Sequence, residues 1–408
     1  MLELFAFWFI GIFVGFLAGI LPGIHPNQVY VLLLSFLPLL NLSPQSLIAF
    51  IISVGISNII FNYITSIFFS IPDPNTVLNI LPGHRMVLEG NGLKALFISI
   101  SSAMLTFIVI VGLTPLFLIL LPMANELFQN IIHFLLIGLA LWMLLLEKGI
   151  KKRLLTLSLF LLSGLWGIVT MNSAIIDSSW ILFPTLTGMF GLASLLTSTK
   201  GIDKIPSQDK SEVNVKGHVK ILITGITAGF LTGILPGAGE TQAGTAVSQL
   251  SNLTQEQFLG SLASINVSNI LFSLLALFSF EKIRSGLTVG INSIVNDFDF
   301  NWLLFSMGVI LLTSGVSTII CWFIGKRMIK LLEKINYVLI SKLIFVFTVI
   351  MILLLTGFVG LFVAFVSTCL GLLALLWDVK RTSNMGFLML PLILYFSGLS
   401  NVTSCLLF

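Results

Sequence analysis

Residues 15–23 read GFLAGILPG and residues 229–237 read GFLTGILPG, so one nine-residue string occurs twice at an offset of 214, altered only at Ala18 against Thr232. A second match follows at an offset of 211, where Ser57-Asn58-Ile59-Ile60-Phe61 pairs with Ser268-Asn269-Ile270-Leu271-Phe272. Between them, Leu42-Ser43-Pro44-Gln45 aligns with Leu253-Thr254-Gln255-Glu256, and one short gap joins the blocks. The chain is two diverged copies of one unit. Each copy carries a Gly-Pro break inside apolar sequence, as expected of a secondary transporter whose interrupted helices frame a binding site.

Composition sets the solvent. Of 408 residues 57% are hydrophobic and only 9% are charged, whereas a soluble domain carries roughly 25% charged residues. Apolar stretches long enough to cross ~30 Å of hydrocarbon as helices recur throughout. Runs such as 135–146 lack the alternation of a membrane barrel. The expected fold is an all-α polytopic membrane protein of two inverted-topology repeats with broken or re-entrant helices. The beginning, Met1-Leu2-Glu3-Leu4, has no basic region and no cleavage site after it, so the first segment is read as retained. Cys321, Cys369 and Cys405 lie in apolar segments without metal-ligating neighbours, which argues against a disulfide framework. No metal site or cofactor is expected beyond Na⁺ as a coupling ion. The pI near 9.0 reflects Lys and Arg in short loops, where topology explains them. The bilayer, not nucleic acid, is the expected partner.

Hydropathy and turn signals divide the chain into a first transmembrane repeat (1–197), a cytoplasmic linker (198–217) and a second repeat (218–408). Copy one comprises segments at about 4–20, 27–40, 46–70, 94–121, 128–147, 154–172 and 179–197. Copy two comprises about 218–235, 241–251, 256–279, 301–325, 338–357, 359–377 and 385–403. An odd number of segments per copy inverts the second relative to the first. The charges agree: with the linker in the cytoplasm, Arg85, Lys94, Lys148, Lys151–Arg153, the basic cluster at 326–342 and Lys380-Arg381 share that side. Of the 20 Lys and Arg, only Lys282 and Arg284 fall outside. Both ends of the chain are expected outside as well.

After the first break stands Gly23-Ile24-His25-Pro26-Asn27-Gln28, and after the second Gly237-Ala238-Gly239-Glu240-Thr241-Gln242. Asn27 and Thr241 are expected to N-cap the helices that follow. Such helices would aim free N–H groups and positive dipole ends at the protein centre, so two of them related by a pseudo-two-fold axis form an anion site from backbone alone. Gly23, His25, Asn27, Gln28, Gly237, Gly239, Thr241 and Gln242 are therefore candidate substrate contacts. Glu240, a carboxylate near mid-membrane, needs a proton, a cation or a basic partner. It is the leading coupling-ion candidate, with Ser57 and Ser268 beside it. His25 could titrate near neutral pH. Asn58 and Asn269, related by the repeat, are further substrate candidates, with Asn62 and Asn266 on the same helix faces; helix-packing glue is the competing explanation. Arg85 and Arg284 are candidate anion contacts at opposite mouths, although Arg85 also suits interfacial snorkelling.

These residues carry a resemblance. The GILPG turn in each half, Ile71-Pro72 with Thr76, Leu235-Pro236-Gly237-Ala238-Gly239, and Pro82-Gly83-His84-Arg85-Met86 with Gly90, Gly92 and Ala95-Leu96 are similar to the large permease subunit of tripartite tricarboxylate transporters (TctA-like). The chain looks like a divergent branch: Pro82 replaces an acidic residue of the family pattern, and 277–281 lacks its Gly-Ile-Pro-Gly loop. The resemblance implies an ion-coupled importer of carboxylates working with a small membrane subunit and an extracytoplasmic binding protein.

The function expected is Na⁺- or H⁺-coupled symport of a small organic anion, a carboxylate, by alternating access across the plasma membrane. A flippase or transporter of a lipid-linked phosphate is the alternative within transport. An intramembrane enzyme is the alternative from another class. Against it, HExxH and paired-Asp arrangements are absent, and His25, His84, His133 and His218 are scattered.

Overall fold

The computed structural model describes residues 1–21, 26–36, 42–69, 78, 80–129, 132–145, 147–172, 181–198, 206–209, 217–234, 240–283, 285–295, 297–332 and 337–398. The described residues are almost entirely helical. The first copy runs α1 (Leu2–Ile20), α2 (Pro26–Phe36), α3 (Pro44–Phe69), α4 (Ile80–Leu88), α5 (Gly92–Gly112), α6 (Thr114–Gln129), α7 (Ile132–Leu145), α8 (Ile150–Asn172) and α9 (Leu182–Leu186). A π-helical turn at Thr187–Leu192 then leads into α10 (Ala193–Ser198). The second copy runs α11 (His218–Ile234), α12 (Glu240–Leu250), α13 (Gln255–Phe280), α14 (Gly286–Asn292), α15 (Phe300–Leu332) and α16 (Tyr337–Leu376). It closes with a 3₁₀ turn at Arg381–Met385 and α17 (Gly386–Phe396). Seven of these helices are long and apolar enough to span a bilayer.

Two expectations from sequence change, and one boundary is kept. The single segment at 94–121 is two helices, α5 and α6, parted at Leu113. The division expected between 338–357 and 359–377 is present: two helical halves of α16 meet at the non-helical Gly357 with no connecting loop. Its φ of +67° and ψ of −166° fall where a side chain would be strained, and glycine lets the chain kink there. The short helices α4 and α14 occupy stretches that hydropathy leaves unassigned.

Two hydrophobic cores organise the helices. One is built on α3, α5, α13 and α15, with residues such as Ile52, Phe107, Val267 and Ile310. The other joins α8, the π turn, α16 and α17 through Phe160, Met189, Leu370 and Phe387, and it also takes Ala243 and Val247 of α12. Burial ranks the helices by depth: the apolar window of α3 is 100% buried inside the protein and that of α16 only 22%. Polar Ser, Thr and Asn line the inner helices, while Phe358, Phe362 and Phe365 of α16 face outward.

The copies exchange partners reciprocally. Ser53 of α3 bonds Thr313 of α15 (3.2 Å), and Thr106 of α5 bonds Ser264 of α13 (2.7 Å). Gly167 of α8 abuts the Phe387 carbonyl, and Gly371 of α16 abuts that of Met189. Gly188 lies against Ala364 and Ser367, and Gly386 against Phe160 and Ser163. Pairs of this form are what a two-fold relation between units generates. Registers also fix direction. Ser53, Ser57 and Ile60 of α3 meet Thr313, Ser317 and Cys321 in ascending order, so α3 and α15 are parallel. Lys94 and Thr106 of α5 meet Glu256 and Ser264 of α13, also ascending. Leu96 and Met104 of α5 meet Gly325 and Gly315 of α15, descending.

Part of the expected linker is pinned. Gln208, 5% exposed, accepts from the Gly92 N–H (2.8 Å) and donates to the Val87 carbonyl (2.9 Å). The Asp209 N–H bonds the carbonyl of Gly90 (2.7 Å), a residue in the left-handed region at φ +85°. One side chain thus satisfies the first N–H of α5 and a carbonyl at the end of α4. Gln208→Ala leaves the Gly92 N–H without its acceptor, while the Val87 carbonyl keeps the Gly90 N–H (3.1 Å), and is expected to cost ~1–3 kcal/mol, read as a lower thermal midpoint of the purified protein.

Candidate functional site

The site begins with helix direction. Along α1, Gly11, Gly15 and Gly19 meet Ser53, Ser57 and Phe61 of α3 in ascending order, so α1 and α3 are parallel. Gly225, Gly229 and Gly233 of α11 meet Ser264, Ser268 and Phe272 of α13 in the same way. Glycine every fourth residue strips one helix face of side chains and lets the backbones close. With α1 and α3 parallel, the chain between them has to travel back. The 11-residue α2 lies between them in the chain, with Tyr30 against Gly55 of α3 and Asn27 against Gly286 of α14.

The end of α1 lies deep inside. Gly19 sits against Asn58 and Asn62, on a helix of 26 residues that starts at Pro44. At 1.5 Å per residue Asn58 is ~21 Å along α3, close to its midpoint. Helix α1 ends there with loosened carbonyls, and Thr65 Oγ1 donates to that of Gly19 (3.1 Å). Such repair is needed wherever a helix stops in lipid. The start of α12 is placed alike. Asn269 lies near the middle of the 26-residue α13, and its Nδ2 donates to Glu240 Oε1 at 2.7 Å.

Glu240 is the first residue of α12, and Pro26 the first of α2. Asn27 and Thr241 are thus second residues of their helices, not the N-caps expected of them. The reason is local. Proline is favoured at the first helical position because the N–H it lacks has no partner there anyway, and a carboxylate is favoured there by the helix dipole. Half-buried Glu240 therefore has two stabilising neighbours, the α12 N-terminus and the Asn269 amide.

The other candidates fall into three groups. Gly23, His25, Gly237, Gly239 and Arg284 lie outside the described residues, as do both break prolines, Pro22 and Pro236; Gln28 and Gln242 lie in α2 and α12, with side chains outside the description. Asn27 is exposed and abuts Gly286 of α14, and Thr241 is buried. Ser57 and Ser268 sit on the glycine seams. Ser57 bonds Ser317 (2.9 Å), while Ser268 has no partner for its hydroxyl. Both pack against a glycine of the neighbouring helix, Ser57 against Gly15 and Ser268 against Gly229. Arg85 is exposed and ion-paired with Glu89 one turn on (2.8 Å), as befits an interfacial residue. No cluster of metal-ligating side chains occurs among the described residues.

Sequence reasoning missed one polar spot. Helix α12 rests against the turn at Arg381–Met385, where Asn384 is fully buried and neither amide atom has a partner. Read only as charges at a membrane face, Lys380-Arg381 hid the polar run that follows them.

Comparison with known proteins bears on identity. The model of the tripartite tricarboxylate transporter TctA family matches residues 5–386. A similar protein is an uncharacterized one from Methanocaldococcus jannaschii, 28% identical over 385 residues that span 91% of this chain and 94% of that protein. No solved structure matches. Seven long apolar helices and a transporter family fit a multi-pass protein of the plasma membrane. With nearly its whole length matched, this chain belongs to the tripartite tricarboxylate transporter TctA family.

Proposed function

We propose that the chain is the permease of a small organic anion, a carboxylate, which it carries by alternating access together with Na⁺ or H⁺. The observation that carries this reading is the Glu240–Asn269 bond at the start of an interrupted helix, at mid-depth of α13. A carboxylate held there is a place for a proton or cation, and the helix starts nearby offer N–H donors to an anion.

Helix directions support an inverted pair of repeats. With α3 parallel to α15, α5 parallel to α13, and α5 opposed to α15, α3 and α13 run in opposite senses. The repeats at 1–197 and 218–408 would then bring one broken helix in from each side. Helix α12 borders both cores, bonded to α13 through Glu240 while its Ala243 and Val247 pack in the second. Rocking of one packing unit against the other would open the site to alternate sides. Family membership supports a small membrane subunit and an extracytoplasmic binding protein as partners.

A thermal-shift titration of the detergent-purified protein tests the cargo class, using succinate, citrate and inorganic phosphate with and without Na⁺, at two pH values. A carboxylate is expected to raise the midpoint, and Na⁺ or low pH to enhance its effect. Stabilisation by phosphate alone would replace this reading with the phosphate one.

A further inference from the structure

The two copies are unequal where they should match. Asn58 corresponds to Asn269, and Pro26 corresponds to Glu240. In copy two the Asn269 amide is occupied by the Glu240 carboxylate. In copy one proline stands in the carboxylate's place, with neither an acceptor in its side chain nor an N–H. Asn58 is 1% exposed, and neither its Nδ2 nor its Oδ1 has a partner. A carboxamide buried without partners is costly, and its retention calls for something that binds it.

Its position says what it faces. Tyr30 of α2 packs on Gly55 of α3. Asn27, the second residue of α2, meets Gly286 of α14, and the next residue of α14, Leu287, also packs on Gly55. The start of α2 is thus tied to the level of Gly55, and Asn58 stands one turn further along α3.

We propose that Asn58 and the first N–H groups of α2 bind the carboxylate of the transported anion, in the place that Glu240 fills in the other copy. Glu240 is then a built-in equivalent of the cargo, and copy one is the half left vacant for it. The unpaired Oδ1 adds a requirement. A carboxylate can accept from Nδ2 but cannot donate to Oδ1, so the full complement is a carboxylate with a hydroxyl beside it. A 2-hydroxycarboxylate satisfies both atoms; its unsubstituted analogue leaves one unpaired. This inference rests on the transporter reading above and narrows it.

Malate and succinate differ by that hydroxyl and are the probes. The native protein is expected to bind malate more tightly than succinate, by roughly tenfold for one buried hydrogen bond to the added group. In Asn58→Leu, which is similar in size, the preference disappears and both affinities fall, while the midpoint without ligand stays level or rises because an unpaired amide has gone. A merely structural Asn58 would give the opposite midpoint change, a fall. Pro26→Glu supplies copy one with its own carboxylate and is expected to abolish binding of both probes in a folded protein. Unchanged malate binding in Asn58→Leu or in Pro26→Glu would overturn the inference and leave the transporter reading standing. Failure of the native protein to bind any carboxylate would overturn both.

Discussion

Glu240→Gln is expected to leave a folded, membrane-inserted protein that no longer couples uptake to an ion gradient, if the proposed coupling role of Glu240 holds. The substitution keeps the side-chain shape and an oxygen for the Asn269 Nδ2 to reach, so the 2.7 Å bond survives in neutral form. What disappears is the charge. An acidic residue at mid-bilayer costs ~3 kcal/mol on insertion scales, so the variant's thermal midpoint is expected to hold or rise. Removing Asn269 instead acts in the other direction, because a half-buried carboxylate loses its amide donor, a loss that destabilises. In proteoliposomes under an imposed Na⁺ or pH gradient, carboxylate uptake by Glu240→Gln falls to the level of protein-free vesicles. Gradient-driven uptake at the parental rate would take Glu240 out of the mechanism, whatever its place at the start of α12.

Much of this architecture was legible from a few residues. The duplicated GFLxGILPG string marked where α1 and α11 end, at Ile20 and Ile234, just before Leu-Pro-Gly in each copy. The Ser-Asn pairs marked the two most enclosed helices, since such residues survive in apolar sequence only where protein surrounds them. Other features depend on packing that hydropathy cannot register. Nothing apolar distinguishes Leu113, where α5 gives way to α6, from its neighbours, whereas the kink at Gly357 falls where the sequence already divided 338–357 from 359–377. The start of α2 was legible and was misjudged: the proline at 26 is the stronger signal for a first helical position than Asn27 is for a cap. The inequality of Asn58 and Asn269 was also within reach, because the 214 offset sets Pro26 against Glu240. Its meaning needed the structure, which pairs one amide and leaves the other bare.

Gly229→Leu prevents the second repeat from assembling. A β-carbon at this position meets the Ser268 Cβ and lies 3.0 Å from the Ile265 carbonyl, so the obstacle is α13 itself rather than a flexible side-chain tip. Overpacking costs typically ~1–3 kcal/mol even where side chains adjust, and more where a backbone has to shift. Here α11 and α13 would have to separate, which opens the seam that sets the level of Glu240 against Asn269. The expected readout is loss of monodisperse protein on size-exclusion chromatography, or a thermal midpoint lowered by many degrees. Gly15→Leu does the same at the α1–α3 seam, where Ser57 Cβ is 2.7 Å away. Gly138→Leu and Gly308→Leu are the controls, because no atom lies within 4 Å of a β-carbon at either position. A relief pair separates close packing from other causes. Gly229→Ala alone collides with Ser268, while Gly229→Ala with Ser268→Gly moves the bulk from one helix to the other. Ser268 loses no hydrogen bond in that exchange, since its hydroxyl has none, and the glycine brings a helix-propensity penalty of ~1 kcal/mol. The double variant is therefore expected to regain most of the midpoint lost by Gly229→Ala. Equal midpoints for the single and double variants would mean that the seam does not hold these helices at this distance.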